Sequence, residues 1–550
     1  MNLTVKQISD LHKISTADDL SVPDINSKLL LQGESFSYQI VMYSDKMIDL
    51  SAKITSTLKD FITLYRVDSV IIDLPMYPKC SDDNYITHKP GYMPDLLTPI
   101  NTERDHMKFC ENIVTIWVKV DLPKDIKSGN YEIDIEFDGM NAYTGEKVNF
   151  IKKMKIEIIN AQMPEQKTKF TQWFHTDCIS SIHNVEIYSE KHWELIDKYM
   201  AMASQLGINM LLTPVITPPL DTEVGITRPN VQLVKIEKKG DKYIFGFELL
   251  KRWIDLCKKN GIKYYEISHL FSQWGLKFAP NIYIYENGVG SYIFGWHVAS
   301  TAPEYADFLR QFIPELVEFL KSEGIADSCY FHISDEPHAE HLEAYSYAKN
   351  LIKPLIGDIK TIDALSDTEF FKTGTVEIPV PKITAIHDFL DLDTPEKWVY
   401  YCCSHGQKVS NRFMAMPSAR TRIVGLQMYK YRVEGFLQWG YNFYYSQYSR
   451  SLINPYVNTS ANGAFPSGDA FTVYPGVDGP LPSLRGFVFQ NALQDIEICR
   501  LLESYIGHDE VVKIIEDTAN MTITFNDYPA GSDFIPEVMD IIKQKIKEVI

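Results

Sequence analysis

Asp335 and Glu336 stand side by side in the run Phe331-His332-Ile333-Ser334-Asp335-Glu336-Pro337, where an apolar stretch gives way to a helical pattern. Adjacent carboxylates suit an acid/base centre, because the charge of one raises the pKa of the other toward working pH. The place also fits, since α/β folds bind ligands outside the carboxyl ends of their strands. The competing reading is an ordinary helix start, with Asp335 or Glu336 near the N-cap and Pro337 in the first turn.

The elements that must position this pair follow from the pattern of the chain. Residues 1–163 read as β, with short alternating runs at 35–44, 70–74, 112–122, 131–137 and 148–159 separated by turn residues. That pattern predicts an N-terminal β-sandwich. From residue 164 the rhythm becomes strand then helix. Strands are expected at 170–178, 209–216, 263–270, 328–334, 361–365, 383–389, 398–403 and 435–445. Helices are expected at 186–206, 248–260, 302–323, 339–355, 420–432 and 483–505, several closed by glycine. Eight strands alternating mostly with helices predict a (β/α)8 TIM-like barrel over residues 164–505. A hairpin over 231–247 interrupts it, and residues 506–550 form a short C-terminal helical segment.

Along the fourth strand Cys329, Phe331 and Ile333 suit the helix layer, which turns Tyr330, His332 and Ser334 inward. Glu336 continues the inward parity. Asp335 does not, and reaches the same pocket only if the strand ends or bulges there; Pro337 favours such an ending.

Bulk properties exclude several classes of function. A formal charge of −18 over 550 residues argues against nucleic acid or an anionic membrane as the main partner. No stretch approaches the ~20 apolar residues of a membrane span. The first residues lack the apolar run of a signal peptide, so the expected location is cytoplasmic. The eight cysteines show no Cys-x-x-Cys and read as reduced thiols, with vicinal Cys402-Cys403 assigned to strand packing. There is no His-Glu-x-x-His, Walker sequence or Gly-x-Ser-x-Gly elbow, so neither metal nor cofactor is expected. Asn287-Gly288-Val289-Gly290 lacks the spacing of a dinucleotide fingerprint and reads as a mobile loop over the barrel mouth.

The motif His332-Ile333-Ser334-Asp335-Glu336-Pro337 resembles the catalytic signature of glycoside hydrolase family 123 and its relatives known only as a domain of unknown function. Further segments resemble that family in the expected order over residues 30–505. They are Gln172-Trp173-Phe174-His175-Thr176-Asp177, Glu266-Ile267-Ser268-His269-Leu270-Phe271, Gly435-Phe436-Leu437-Gln438-Trp439-Gly440, and the stretch 469–476 with Ser483-Leu484-Arg485. The resemblance implies a sandwich joined to a barrel and retaining, substrate-assisted cleavage of terminal β-linked N-acetylhexosamine, foremost β-N-acetylgalactosaminides. In that scheme the substrate's acetamido oxygen forms an oxazoline-type intermediate, Asp335 polarises the acetamido N–H, and Glu336, its pKa raised, is the acid and then the base. Gln438, and the segment after Arg485, depart from the family pattern and bear on the exact sugar. The alternatives are a glycosidase of another specificity without acetamido participation, and a non-catalytic carbohydrate-binding barrel.

Several residues are candidates for substrate binding. Trp173, His175 and Asp177 alternate on the first strand, facing either a pocket or a packed interior layer. His269 and Trp274 lie at and beyond the third strand's end, His332 faces inward on the fourth, and Trp439, Asn442 and Tyr444 close the eighth. Asp363 and Asp367 flank the end of the fifth strand, as sugar ligands or as caps. Arg485 is a helix cap, a partner for Asp469, or a substrate contact. The expected partner is a glycan or oligosaccharide, with no nucleic acid and no membrane.

Overall fold

The computed structural model describes residues 3–273, 275–337 and 339–550. They group into two compact units. One runs up to Lys167 and includes Gly406–Tyr431 and Leu481–Ile550; the other holds Thr168–His405 and Arg432–Pro480.

The first unit is built on two five-stranded sheets. One, in the order Leu3–Ser9, Ser35–Ser44, Ile113–Asp121, Ile62–Ile72, Gly91–Pro99, is antiparallel throughout. The other, Ser27–Gln32, Lys147–Gln162, Gly129–Asn141, Ile48–Thr55, Met107–Phe109, is antiparallel except for its first pair. Alternate residues such as Tyr38, Ile40 and Met42 of one sheet and Ile133, Ile135 and Phe137 of the other form a single core, as period-two patterning requires. Helices Leu484–Ile506, His508–Ala519 and Phe534–Val549 belong to the same unit. Arg485 is buried here against Asp95 at 2.6 and 2.9 Å, which uses its guanidinium for structure and leaves Asp469 to other partners.

The second unit contains eight parallel strands: β1 Lys169–Gln172, β2 Met210–Thr213, β3 Tyr264–Ile267, β4 Cys329–Phe331, β5 Lys360–Leu365, β6 Ile378–Pro381, β7 Trp398–Tyr400 and β8 Gly435–Gln438. They hydrogen-bond in the order β6-β5-β4-β3-β2-β1-β8-β7. A parallel bridge between Lys382 and Tyr400 brings the two outer strands together, so the sheet is nearly closed and barrel-like. Its interior is filled by alternate residues, among them Met210, Leu212, Tyr330, Ile362, Val380 and Leu437. Tyr330 therefore faces inward, as its parity requires. At the N-terminal end buried Glu396 accepts hydrogen bonds from Tyr330 at 2.9 Å, Trp398 at 3.0 Å and Lys360 at 2.6 Å, and pairs with Lys169 at 3.1 Å.

Most strands end earlier than the sequence suggests, and one lies elsewhere. β6 is at Ile378–Pro381, whereas residues 386–388 form a 3-10 turn. Its two prolines, which cannot donate to a ladder, hid it. β1 stops at Gln172, because Thr176–His183 folds as a helix. β8 stops at Gln438, and two residues later Gly440 lies so close to the Ala470 carbonyl that a Cβ would stand 2.3 Å from its oxygen. The alternation with helices is also incomplete, since β5 is followed only by the short helix Glu369–Lys372 and β6 by the 3-10 turn.

The expected hairpin is present as Lys235–Lys239 and Lys242–Gly246, and it pairs with a second one, Ile282–Glu286 and Val289–Phe294. Asn287 (φ 51°) and Gly288 (φ 81°) form the tight turn of that second hairpin, so the segment read as a loop is the turn of a small sheet. Among the described residues no helix is long and apolar enough to cross a membrane.

Gly435 opens β8 where a Cβ would fall 2.2 Å from the Trp398 ring. Because Trp398 is tied to Glu396, the ring has little room to yield. Gly435→Ala is expected to destabilise the fold by about 1–3 kcal/mol, measured as a lowered urea midpoint.

Candidate active site

β4 ends at Phe331, and the chain then bends through Asp335 and Glu336 before helical structure resumes at Ala339. Glu336 has φ +46°, the left-handed region, immediately before a proline. Such a backbone costs on the order of 1–3 kcal/mol and persists only where its surroundings hold it. This bend removes the parity conflict, since Asp335 and Glu336 line the same cavity. Neither acts as a plain helix cap. Gln273 Nε2 donates to Asp335 Oδ2 at 2.6 Å, and the Tyr400 hydroxyl at the end of β7 donates to Glu336 Oε1 at 2.6 Å.

The cavity has about 650 Å³ of empty space and lies within the second unit. Its lining combines the acid pair, Tyr400, Gln273 and Asp221 with the rings of Trp173, Trp439, Phe465 and His175. Trp439 meets Phe465 edge-on at 5.0 Å, and its indole N–H is anchored on Asp469 at 2.8 Å. A few convergent polar groups set among aromatic rings are the usual form of a sugar site.

Beneath the pair lies a fully buried ion pair. His332 donates from Nε2 to Glu266 Oε1 at 2.5 Å and from Nδ1 to Asp363 Oδ1 at 3.3 Å. Glu266 also accepts from Thr171 at 2.6 Å and the Trp173 indole at 2.7 Å, while Asp363 accepts from Tyr345 and from the Ser334 N–H. Burial pulls the His332 pKa down, but Glu266 and then Asp363 outweigh it and lift it to about 10, so the ring is an imidazolium. His269 stacks on it at 4.1 Å, and burial and the His332 charge keep His269 neutral.

Asp335 responds to the same surroundings. Burial first, then the charge of Glu336, raise it to about 8 against the opposing Gln273 hydrogen bond and His332 charge. The sequence suggested an ionised Asp335 beside a protonated Glu336. The surroundings instead oppose ionisation of Asp335, first through burial and then through the Glu336 charge.

A family model for the catalytic domain of glycoside hydrolase family 123 matches residues 173–502, more than half of the chain. The chain belongs to glycoside hydrolase family 123. A solved structure of a family 123 enzyme from Clostridium perfringens, reported for glycolipid glycan hydrolysis, has a TM-score of 0.74 at 14% identity, covering 100% of this chain and 98% of that one. At that identity the likeness speaks for the fold. A β-glucuronidase from Parabacteroides merdae gives a TM-score of 0.31 at 10% identity over 89% of this chain and 52% of its own, which carries no argument. No curated protein matches the sequence.

As a family 123 glycosidase, the chain brings some of the sequence candidates to the cavity and leaves others in its support. Trp173, His175 and Trp439 line the cavity. His175 is neutral, lowered to about 3 by burial and by Arg228, and its Nε2 contacts the Trp439 carbonyl at 2.9 Å. Asn442 brackets the His175 backbone, accepting at 2.8 Å and donating at 3.1 Å. His269, His332 and Asp363 sit in the buried layer below. Asp177 is not a wall residue: in the first turn of its helix it makes a buried two-point pair with Arg228 at 2.8 and 2.7 Å. Tyr444 is also packed away, donating to the Val473 carbonyl at 2.8 Å. Asp367 caps a turn through the Glu369 N–H at 2.9 Å. Trp274 lies outside the described residues.

The sequence reading missed Gln273, Tyr400, Asp221, Arg228 and the role of Glu266. Only Glu266 carried a signal, as the polar member of β3 at inward parity two residues before Ser268. His269, His332 and Asp363 bring one potential ligand atom each within 4.8 Å of one another, a grouping that linear spacing did not reveal. The two rings are nearly parallel, at 15°, so their in-plane nitrogen lone pairs do not converge, and both His332 nitrogens are engaged. The arrangement suits an ion pair and not a metal site.

Replacing Glu266 with Gln would strip a buried imidazolium of its closer countercharge and leave it Asp363 at 3.3 Å. Glu266→Gln is expected to cost about 3–5 kcal/mol, read from denaturation. The folded His332 pKa is raised, so the pair's contribution is complete below the ordinary value of 6.5 and is lost as pH rises through about 10. In the variant that part of the pH dependence should disappear.

Proposed function

We propose that the protein is a retaining β-N-acetylhexosaminidase, acting foremost on terminal β-linked N-acetylgalactosamine, with the parallel sheet serving as a (β/α)8 barrel behind a β-sandwich. The observation that carries this reading is the adjacent pair in one cavity, with Asp335 buried and tethered by Gln273 and Glu336 held by Tyr400.

The substrate's acetamido carbonyl oxygen attacks the anomeric carbon as the glycosidic C–O bond breaks, and Glu336 gives its proton to the departing oxygen. Asp335 accepts the acetamido N–H and stabilises the positive charge of the oxazolinium. Glu336 then takes a proton from water, which opens the ring at the anomeric carbon and restores the original configuration. A hydrogen bond from the substrate to ionised Asp335 favours its anion. Binding thus draws the pair's shared proton away from Asp335 and leaves it for Glu336. Trp439 and Phe465 supply the apolar face for the ring. A second cavity of about 900 Å³, bordered by Trp296, Phe278 and Tyr448, shares Gln273 with the first and offers room for the leaving-group sugars of an oligosaccharide.

Initial rates on a matched pair of aryl β-galactosides, one 2-acetamido and one 2-hydroxyl, test the mechanism. Turnover of the acetamido sugar alone is expected, and Asp335→Ala and Glu336→Ala should each lower kcat/KM by about 10²–10⁴-fold. Comparable turnover of the hydroxyl sugar would require an enzyme nucleophile and overturn the scheme.

The pH profile gives a separate check. The pair must carry one proton, so kcat/KM should fall as pH rises through about 8, where Asp335 ionises in the free enzyme. Gln273→Met removes a donor that favours the anion and should move this limb to higher pH. A limb that moves to lower pH would contradict the assignment.

A further inference from the structure

Cys402 and Cys403 are not packed on a strand as their sequence suggests. β7 ends at Tyr400, and both cysteines lie in the turn beyond it, partly exposed, as thiols on the wall of the catalytic cavity. The turn is coupled to the acid pair by a short chain of contacts. The Cys402 N–H donates to His405 Nδ1 at 2.9 Å, the His405 ring meets Tyr400 edge-on at 5.6 Å, and Tyr400 donates to Glu336 at 2.6 Å. The Cys402 sulfur also lies 3.4 Å from the Ser404 hydroxyl.

We propose that Cys402 and Cys403 form an oxidisable dithiol site, which a low-molecular-weight disulfide converts to a Cys402–Cys403 disulfide that lowers glycosidase activity. The two sulfurs differ in role. The hydrogen bond with Cys403 raises the Cys402 pKa, so Cys403 is assigned the attack and Cys402 the resolving step. The Cys403 thiolate attacks one sulfur of the reagent, breaking its S–S bond and releasing one thiol. Cys402 then loses its proton and attacks the Cys403 sulfur, forming the protein S–S bond and expelling the second thiol. Two protein thiols are oxidised and one small disulfide is reduced to two thiols. Closing a small ring across the 402–403 peptide reshapes the turn that supports His405 and Tyr400, and Glu336 loses its donor. The effect on activity rests on the role proposed for Glu336; the thiol chemistry does not.

Trypsin releases residues 398–408 as one peptide that carries both cysteines and no others. The full chain is incubated with bis(2-hydroxyethyl) disulfide, remaining thiols are blocked, and this peptide is weighed while hydrolysis of the acetamido aryl glycoside is followed. The expected peptide is lighter by two hydrogens and carries no adduct, and the rate falls at least several-fold and returns on reduction. Cys403→Ser should keep its own untreated rate in the reagent. Separate adducts or blocked thiols on the peptide would overturn the dithiol, and an oxidised peptide with an unchanged rate would overturn the coupling. A protein inert on every glycoside would remove the proposed function and the coupling with it, while the peptide mass would still decide the dithiol.

Discussion

The Glu266–His332 ion pair is the constraint on which the site depends. Both side chains are fully buried, and a buried charge is tolerated only where such pairing compensates it. Glu266 reaches from β3 and takes donors placed by β1 and by the segment after β4, while His332 also engages Asp363 of β5. Four strand ends are thus fixed to one another through a single charged layer. A buried ion pair is seldom worth more than the apolar packing it displaces. Its value here is positional and electrostatic, because it sets the floor on which the bend at Asp335 and Glu336 rests.

That floor also distinguishes the two carboxyls. The imidazolium favours an ionised Asp335, but burial and the adjacent Glu336 charge outweigh it. Asp335 is therefore the carboxyl whose ionisation the surroundings oppose, and a donor reaching it would favour its anion. Gln273 links it to the cavity wall, because its Oε1 accepts the Asp221 N–H at 2.5 Å while its Nε2 holds Asp335. Asp221 is itself raised to about 6 by burial, opposed by the Tyr448 N–H. The cavity collects carboxyls in unequal surroundings, which is how one fold supplies both an acid and an anion at one pH.

The legible parts of the sequence were those encoded locally. Period-two alternation placed Tyr330 inward, glycine stops marked helix ends, and the Asp-Glu-Pro run marked the centre. Local pattern failed where tertiary contacts decide. Prolines disguised β6, and the helix Thr176–His183 took Asp177 out of the strand whose alternation had made it a wall residue. Tyr400 looked like one more aromatic strand residue, and Gln273 like a loop glutamine. Their roles exist only because β3, β4 and β7 converge, which no spacing along the chain records. The part of the Asp335 pKa rise that comes from burial was not legible either, because burial cannot be read from neighbours in sequence.

The aromatic lining explains why so many supporting groups are neutral or already paired. A sugar offers an apolar face and a polar rim, and a mobile charge beside the ring would compete for that rim with water and with the acid pair. His175 is held neutral; its nearest cation, Arg228, is bound at two points by Asp177 and lies against the faces of Phe443 and Tyr445. Asp469 fixes the Trp439 indole and is held in turn by Gln438 at 3.0 Å through its carbonyl. Gln438, which departs from the family pattern, therefore acts at one remove, through the anchor of the stacking ring. A change there would alter the anchor of an aromatic surface without touching Asp335 or Glu336.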